Sequence, residues 1–139
     1  MAYATEANMI ERFGETEILE LTDRDKDSEV DSAVLDGALS DADALIDGYL
    51  AARYTLPLAS VPSLLIGPAC DIARFKLWDD RAPDEVRKRY DDALALLKLI
   101  SNGTVVLPPD AQGEKPAASA SMEFYSQTRV FTEETLADY

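Results

Sequence analysis

The stretch from residue 31 to residue 54, DSAVLDGALSDADALIDGYLAARY, carries the reading on which the fold turns. Its apolar residues Val34, Leu35, Ala38, Leu39, Ala42, Leu45, Ile46, Tyr49 and Leu50 recur at spacings of three and four, the period of one face of an α-helix. About 23 residues at 1.5 Å each give a rod of roughly 35 Å. Asp36, Asp41, Asp43 and Asp47 fall on or beside its wet face. Leu56-Pro57-Leu58 stops the rod, because proline fixes φ and offers no N–H to a helix, and Val61-Pro62-Ser63 opens the next segment.

That next segment, Leu64 to Trp78, is apolar on nearly every side, which places it at the centre of the fold. Pro68 within it predicts a kink or a late helix start, and Asp71 and Arg74, one turn apart, are spaced to pair. Ala82-Pro83-Asp84-Glu85 then sets proline and two carboxylates at a helix start. Val86, Tyr90, Ala93, Leu94, Leu97 and Ile100 line one side of that helix, Asn102-Gly103 closes it, and Thr104-Val105-Val106-Leu107 could form a short strand. Toward the N-terminus, Thr5 is an N-cap for a short helix ended by Gly14. Ile18, Leu19 and Leu21 form a further turn, and Thr22 to Ser28 is a polar loop. The sequence therefore predicts an all-α fold: a small antiparallel bundle of about four helices over residues 1–107, followed by an extended C-terminal arm over 108–139.

With 139 residues the chain has room for one domain, and 47% hydrophobic residues give it material for a core. It contains no histidine and one cysteine, Cys70, so disulfide frameworks, zinc fingers, Ser-His-Asp triads and Cys-His dyads all lack their parts. These gaps point away from an enzyme and from any cofactor or metal. The N-terminus lacks the charged and apolar regions of a signal peptide, and no run approaches the ~20 apolar residues that span a bilayer, so a soluble, intracellular protein without a membrane partner is expected.

The formal charge of −14 is unevenly spread: residues 1–50 are net −11, residues 51–103 are net +1 and residues 104–139 are net −4. Such a chain suits a basic partner or a DNA-repelling surface better than DNA binding, which needs Lys and Arg to neutralise phosphates. Asp23-x-Asp25-x-Asp27 resembles the start of a calcium loop, but Ser28 stands where that loop needs glycine and Val34 where it needs a bidentate glutamate, leaving a solvated polar loop. Arg87-Lys88-Arg89 is the only basic cluster; consecutive helical residues point in different directions, and Asp84, Glu85, Asp91 and Asp92 lie beside them, so ion pairs are expected. Cys70, among apolar neighbours, reads as an inert buried side chain. Past Pro108-Pro109 the composition turns small and polar and cannot order itself, yet Met122, Phe124, Tyr125, Val130, Phe131 and Leu136 follow. An apolar segment beyond a linker is built to dock, on its own core or on a partner chain.

Specific words support a resemblance as well. Ile46-Asp47-Gly48-Tyr49-Leu50-Ala51-Ala52-Arg53-Tyr54-Thr55-Leu56-Pro57-Leu58 and Ala69-Cys70-Asp71-Ile72-Ala73-Arg74-Phe75, with Leu21-Thr22-Asp23-Arg24 and Arg129-Val130-Phe131-Thr132, resemble the head-to-tail connector proteins of Mu-like tailed phages and prophages. Gly67-Pro68 departs from that pattern. The resemblance implies a helical adaptor, or head-completion protein, without enzyme activity. It would form a homo-oligomeric ring, dodecameric like the portal protein above it, in the virion neck after assembly in the host cytoplasm. A tail terminator or other neck protein would attach below, and DNA would pass through the channel without specific binding. In related connectors the arm engages the portal, which by position brings in Phe124, Tyr125, Arg129, Val130 and Phe131 as contacts with the portal or a neighbouring subunit. In such a ring the carboxylates Asp36, Asp41, Asp43 and Asp47 would form a DNA-repelling acidic face. The alternative from a different class is an acidic monomeric binding module that mimics DNA and blocks a basic protein.

Overall fold

A computed structural model of the chain describes residues 1–109 and 115–118. Five helices appear in order: α1 (Glu6–Phe13), α2 (Glu15–Thr22), α3 (Ser32–Leu50), α4 (Ser63–Trp78) and α5 (Asp84–Ser101), with a short 3-10 turn, Asp79–Arg81, between the last two. The fold is all-α, as expected. The count is five because residues 15–22, expected as a single turn, make two full turns of helix. Gly14 separates α1 from α2 at φ +88°, a backbone conformation that side chains with a Cβ rarely adopt, so the chain turns there without a loop.

Each boundary has a local cause. Thr5 caps α1 through a reciprocal pair in which its hydroxyl accepts from the Asn8 amide and the Asn8 side chain accepts from the Thr5 amide. Asp31 caps α3, its Oδ1 accepting from the amides of Ala33 at 3.0 Å and Val34 at 3.3 Å. α3 ends at Leu50, four residues before the predicted limit, because residues 51–53 tighten into a turn and the Tyr54 amide donates back to Leu50. Pro83 stands just ahead of α5, with Asp84 and Glu85 in the first turn.

α4 is the hub: α3 and α5 pack most extensively on it, and α1 and α2 cover its remaining side. Leu65, Ala69, Cys70, Ile72 and Ala73 are fully buried, against Leu35, Ala42, Ile46 and Leu50 from α3 and Leu97 and Ile100 from α5. Each large side chain removed from water in this way contributes about 1.5–3 kcal/mol. The helix starts at Ser63 and runs through Pro68 without the late start the proline suggested. Pro68 forfeits one intrahelical hydrogen bond, but its ring is buried in the core, and the packing on all sides of α4 holds the backbone helical across it.

After α5 the chain doubles back. Gly103, at φ +87°, sits under the Arg53 guanidinium so closely that a Cβ would clash with it. Thr104–Leu107 forms no strand, and among the described residues there is none. Leu107 is instead buried, and its amide donates to the Tyr54 hydroxyl at 3.1 Å. Residues 115–118 lie beside the end of α3: the Thr55 amide donates to the Ala117 carbonyl at 2.9 Å, and Tyr54 and Ala118 form an isolated antiparallel bridge. These residues bury little apolar surface, and main-chain hydrogen bonds place them where composition suggested a free linker.

The hub predicts a steep contrast. Ile72→Ala should lower unfolding free energy by about 2–5 kcal/mol, whereas Leu99→Ala, on the exposed side of α5, should change it by less than about 1 kcal/mol, both read from urea midpoints.

Candidate functional site

The acidic stripe of α3 is built by helical spacing. At about 100° per residue, Asp36, Asp43 and Asp47 lie within roughly 40° of one another around the axis, and Asp41 falls on a different side. Asp36 and Asp41 are exposed; Asp43 and Asp47 are half-buried. The latter two hold the N-terminal segment. The Tyr3 amide donates to Asp43 Oδ1 at 3.0 Å and the Tyr3 hydroxyl donates to Asp47 Oδ1, so a side chain only 2% exposed has both polar groups satisfied. Burial first, and then Asp47, push the Tyr3 phenol far above its ordinary value. Burial also raises the Asp43 carboxyl, partly offset by the Tyr3 amide and the α-amino group. Periodicity could not reveal this clamp, because Tyr3 precedes the first helix and belongs to no repeating pattern.

A second charged group joins α4 to the N-terminal helices. Arg74 does not pair with Asp71; its guanidinium reaches Glu17 on α2 at 2.7 Å and lies over the Phe13 ring at 4.4 Å. The reason is geometric, since α1 and α2 present a carboxylate and an aromatic face together, where a guanidinium gains an ion pair and a cation–π contact. Asp71 is left half-buried near Arg89, Arg12 and Arg74, and burial raises its carboxyl above the ordinary 3.8 despite those cations. On α5, Arg89 pairs with Glu85 at 3.3 Å in an exposed bridge, and Phe75 stacks on Tyr90 with ring centroids 4.0 Å apart.

Asp23, Asp25 and Asp27 bring their carboxylates within 4.8 Å of one another. Asp23 uses both oxygens on the chain itself, accepting from the amides of Asp27 at 3.0 Å and Ser28 at 3.1 Å, so it shapes the loop. Cys70 is fully buried, and burial pushes its thiol up to about 11.

Among the described residues two concavities stand out. One, of about 630 Å³, is bounded by the α3–α4 loop, the start of α4 at Ser63, Pro108-Pro109 and Lys115–Ala117. The other, of about 520 Å³, lies between the end of α2 and the end of α4, where Trp78, Leu77 and Leu21 meet the charged groups of Glu20, Asp23, Arg24, Asp79, Asp80 and Arg81. Asp79 there holds φ +56° and ψ −133°, a strained backbone for a residue with a Cβ. The Trp78 indole nitrogen is buried without a hydrogen-bond acceptor. The arm residues singled out from the sequence, Phe124, Tyr125, Arg129, Val130 and Phe131, lie outside the described residues.

Among the described residues no helix is long and apolar enough to cross a membrane. Fold and surface together define a small all-α domain with a strongly acidic N-terminal half and a chain that returns to the end of α3. The chain belongs to the family described as bacteriophage Mu, Gp36, which matches residues 3–126. It is 39% identical over 104 residues to "Gene product J" of Escherichia phage Mu, covering 74% of each chain. It is also 34% identical over 105 residues to "Mu-like prophage FluMu protein gp36" of Haemophilus influenzae, covering 76% of this chain and 74% of that protein. The family match takes in Phe124 and Tyr125 but stops short of Arg129.

Two measurements check the charge assignments. Tyr3→Phe should cost about 1–2 kcal/mol in urea denaturation, because it leaves the half-buried Asp47 without its donor. Asp71 has a folded-state value above its unfolded one, so its contribution to stability is present below about pH 3.8 and is lost as pH rises through the folded value. Asp71→Asn should therefore be more favourable at pH 7 than at pH 3, relative to the unsubstituted chain at the same pH.

Proposed function

We propose that this chain is a structural protein of the virion neck, a head-tail connector subunit. It forms a ring beneath the portal protein, completes the DNA-filled head and provides the platform on which a tail terminator or other neck protein attaches. It performs no catalysis and uses no cofactor. It is made in the host cytoplasm and ends in the finished particle, in a ring matched to the twelve copies of a portal.

The observation that carries this reading is the placement of charge on a domain whose relatives come from Mu and a Mu-like prophage. The first 50 residues, which supply α1, α2 and α3, carry net charge −11. Many copies of such a surface around a channel repel the phosphate backbone, so the genome can slide without sticking. Exposed Asp36 and Asp41 belong to that surface, and Asp43 and Asp47 add charge while holding Tyr3. The apolar residues beyond Ala118 supply a segment suited to docking on the portal or on a neighbouring subunit.

Heads assembled without this protein should package DNA but fail to join tails; normal joining overturns the proposal. Truncation after Ala118 preserves the contacts of Ala117 and Ala118 with Thr55 and Tyr54, so helical content by circular dichroism should be unchanged while association with portal rings is lost. A DNA-mimic role predicts the opposite: a monomer that ignores portal rings and binds a basic protein with steep salt dependence.

A further inference from the structure

We infer that residues 1–30 form a charge-driven flap. The N-terminal segment, α1 and α2 lift off α3 and α4 as one unit while the three long helices stay folded, and neutralising the acids along that boundary closes the flap. It needs no second copy, so it stands apart from the ring-forming reading above.

The driving force is like charge on both sides of one boundary. Residues 1–30 carry nine acids and three bases, net −6, and residues 31–50, which supply α3, carry five acids and no base, net −5. Folding lays the first set against the second, since α2 packs on α3 and Tyr3 is seated on Asp43 and Asp47. Charges of one sign held together in a compact body repel. Residues 51–103 are net +1, so the repulsion is concentrated where the N-terminal unit meets α3.

Little opposes that push. Tyr3, Ala4, Met9 and Ile18 are buried, but the contacts of α1 and α2 with α3 and α4 are far fewer than those among the three long helices. Tyr3 fastens one end of the unit to Asp43 and Asp47, and Arg74 fastens the other through Glu17 and Phe13. The second fastening is incomplete: Glu17 Oε2 and Arg74 Nε are buried without a hydrogen-bond partner, so desolvation removes part of what the ion pair contributes. The connection to α3 is a hinge. Residues 23–30 form no helix, and Lys26 and Ser28 hold φ +61° and +65°, a left-handed conformation that residues with a Cβ adopt under strain and that lifting the flap relaxes. Once lifted, two eight-residue helices lose the packing that keeps them formed.

Cys70, the chain's only cysteine, reports the opening. Gly67, Cys70 and Arg74 lie within roughly 60° of one another around α4. The Arg12 guanidinium stands over Gly67 and Arg74 reaches α1 and α2, so the fully buried thiol lies on the flank that the flap covers. Thiol labelling of the full chain is compared with that of the double variant Cys70→Ala, Ala93→Cys, whose thiol is buried on α5, away from α1 and α2. Each rate, divided by that of the same protein in urea, gives an opening constant. At roughly 20 mM salt Cys70 should open about tenfold more readily than position 93. At roughly 500 mM the ratio should approach one, because repulsion between exposed acids is screened and the half-buried Arg74–Glu17 pair is not. Made in both backgrounds, Glu11→Gln with Glu20→Gln, two exposed positions, should lower the low-salt ratio about threefold, and Arg74→Met should raise it about tenfold. Hydrogen exchange of residues 6–22 against residues 84–101 in the unsubstituted chain should show the same salt dependence, whatever the variants do to folding. Equal opening of both regions at low salt overturns the flap. A difference that salt and the glutamine substitutions leave unmoved, or that salt widens, overturns charge as its driving force.

Discussion

A helix that is apolar on nearly every side must be covered on most of its surface, and α4 imposes that demand on the rest of the chain. α3 and α5 are long enough to cover two flanks, and the third falls to α1 and α2, which are eight residues each. Helices that short are marginal alone, since nucleation is costly and few hydrogen bonds repay it. They hold because Met9 and Ile18 are fully buried and because Arg74 reaches out of α4 to Glu17 and Phe13. The two N-terminal helices are therefore an accessory to the core helix.

Charge is handled in two ways. Carboxylates near the core or at a chain turn each hold another group in place. Glu17 binds Arg74, Asp43 and Asp47 anchor Tyr3, Asp31 caps α3 and Asp23 shapes a loop. Elsewhere, as at Glu11, Glu15, Glu20, Asp36 and Asp41, the acids face water. A chain of net charge −14 repels itself when compact, and local hydrogen bonds at the half-buried acids offset part of that cost.

What the sequence makes legible follows from which interactions are local. Helices α3, α4 and α5 can be read because burial on one face or all round leaves a periodic mark, and Thr5, Asp31 and Gly14 because caps and turns need particular residues at particular places. α2 reads only as a turn, since eight residues beginning directly after a glycine show too few apolar positions to fix a period. The partners of Arg74 and of Tyr3 are out of reach for a different reason. Arg74 and Glu17 are 57 positions apart, Tyr3 and Asp47 are 44 apart, and nothing in a spacing of that size distinguishes a contact from a coincidence. The cleft at Trp78 is likewise invisible, because it forms only when the ends of two helices and a strained Asp79 come together.

Tyr54 is where the end of the domain is tied. Its hydroxyl accepts from the amide of Leu107 and its backbone faces Ala118, so one residue fixes both the returning stretch of chain after α5 and residues 115–118 beside it. Most of that attachment is main chain against main chain, indifferent to which side chains lie beyond it. The place of residues 115–118 is thus set by the backbone of the domain, so a lineage could change the side chains of that stretch without rebuilding the body that carries it.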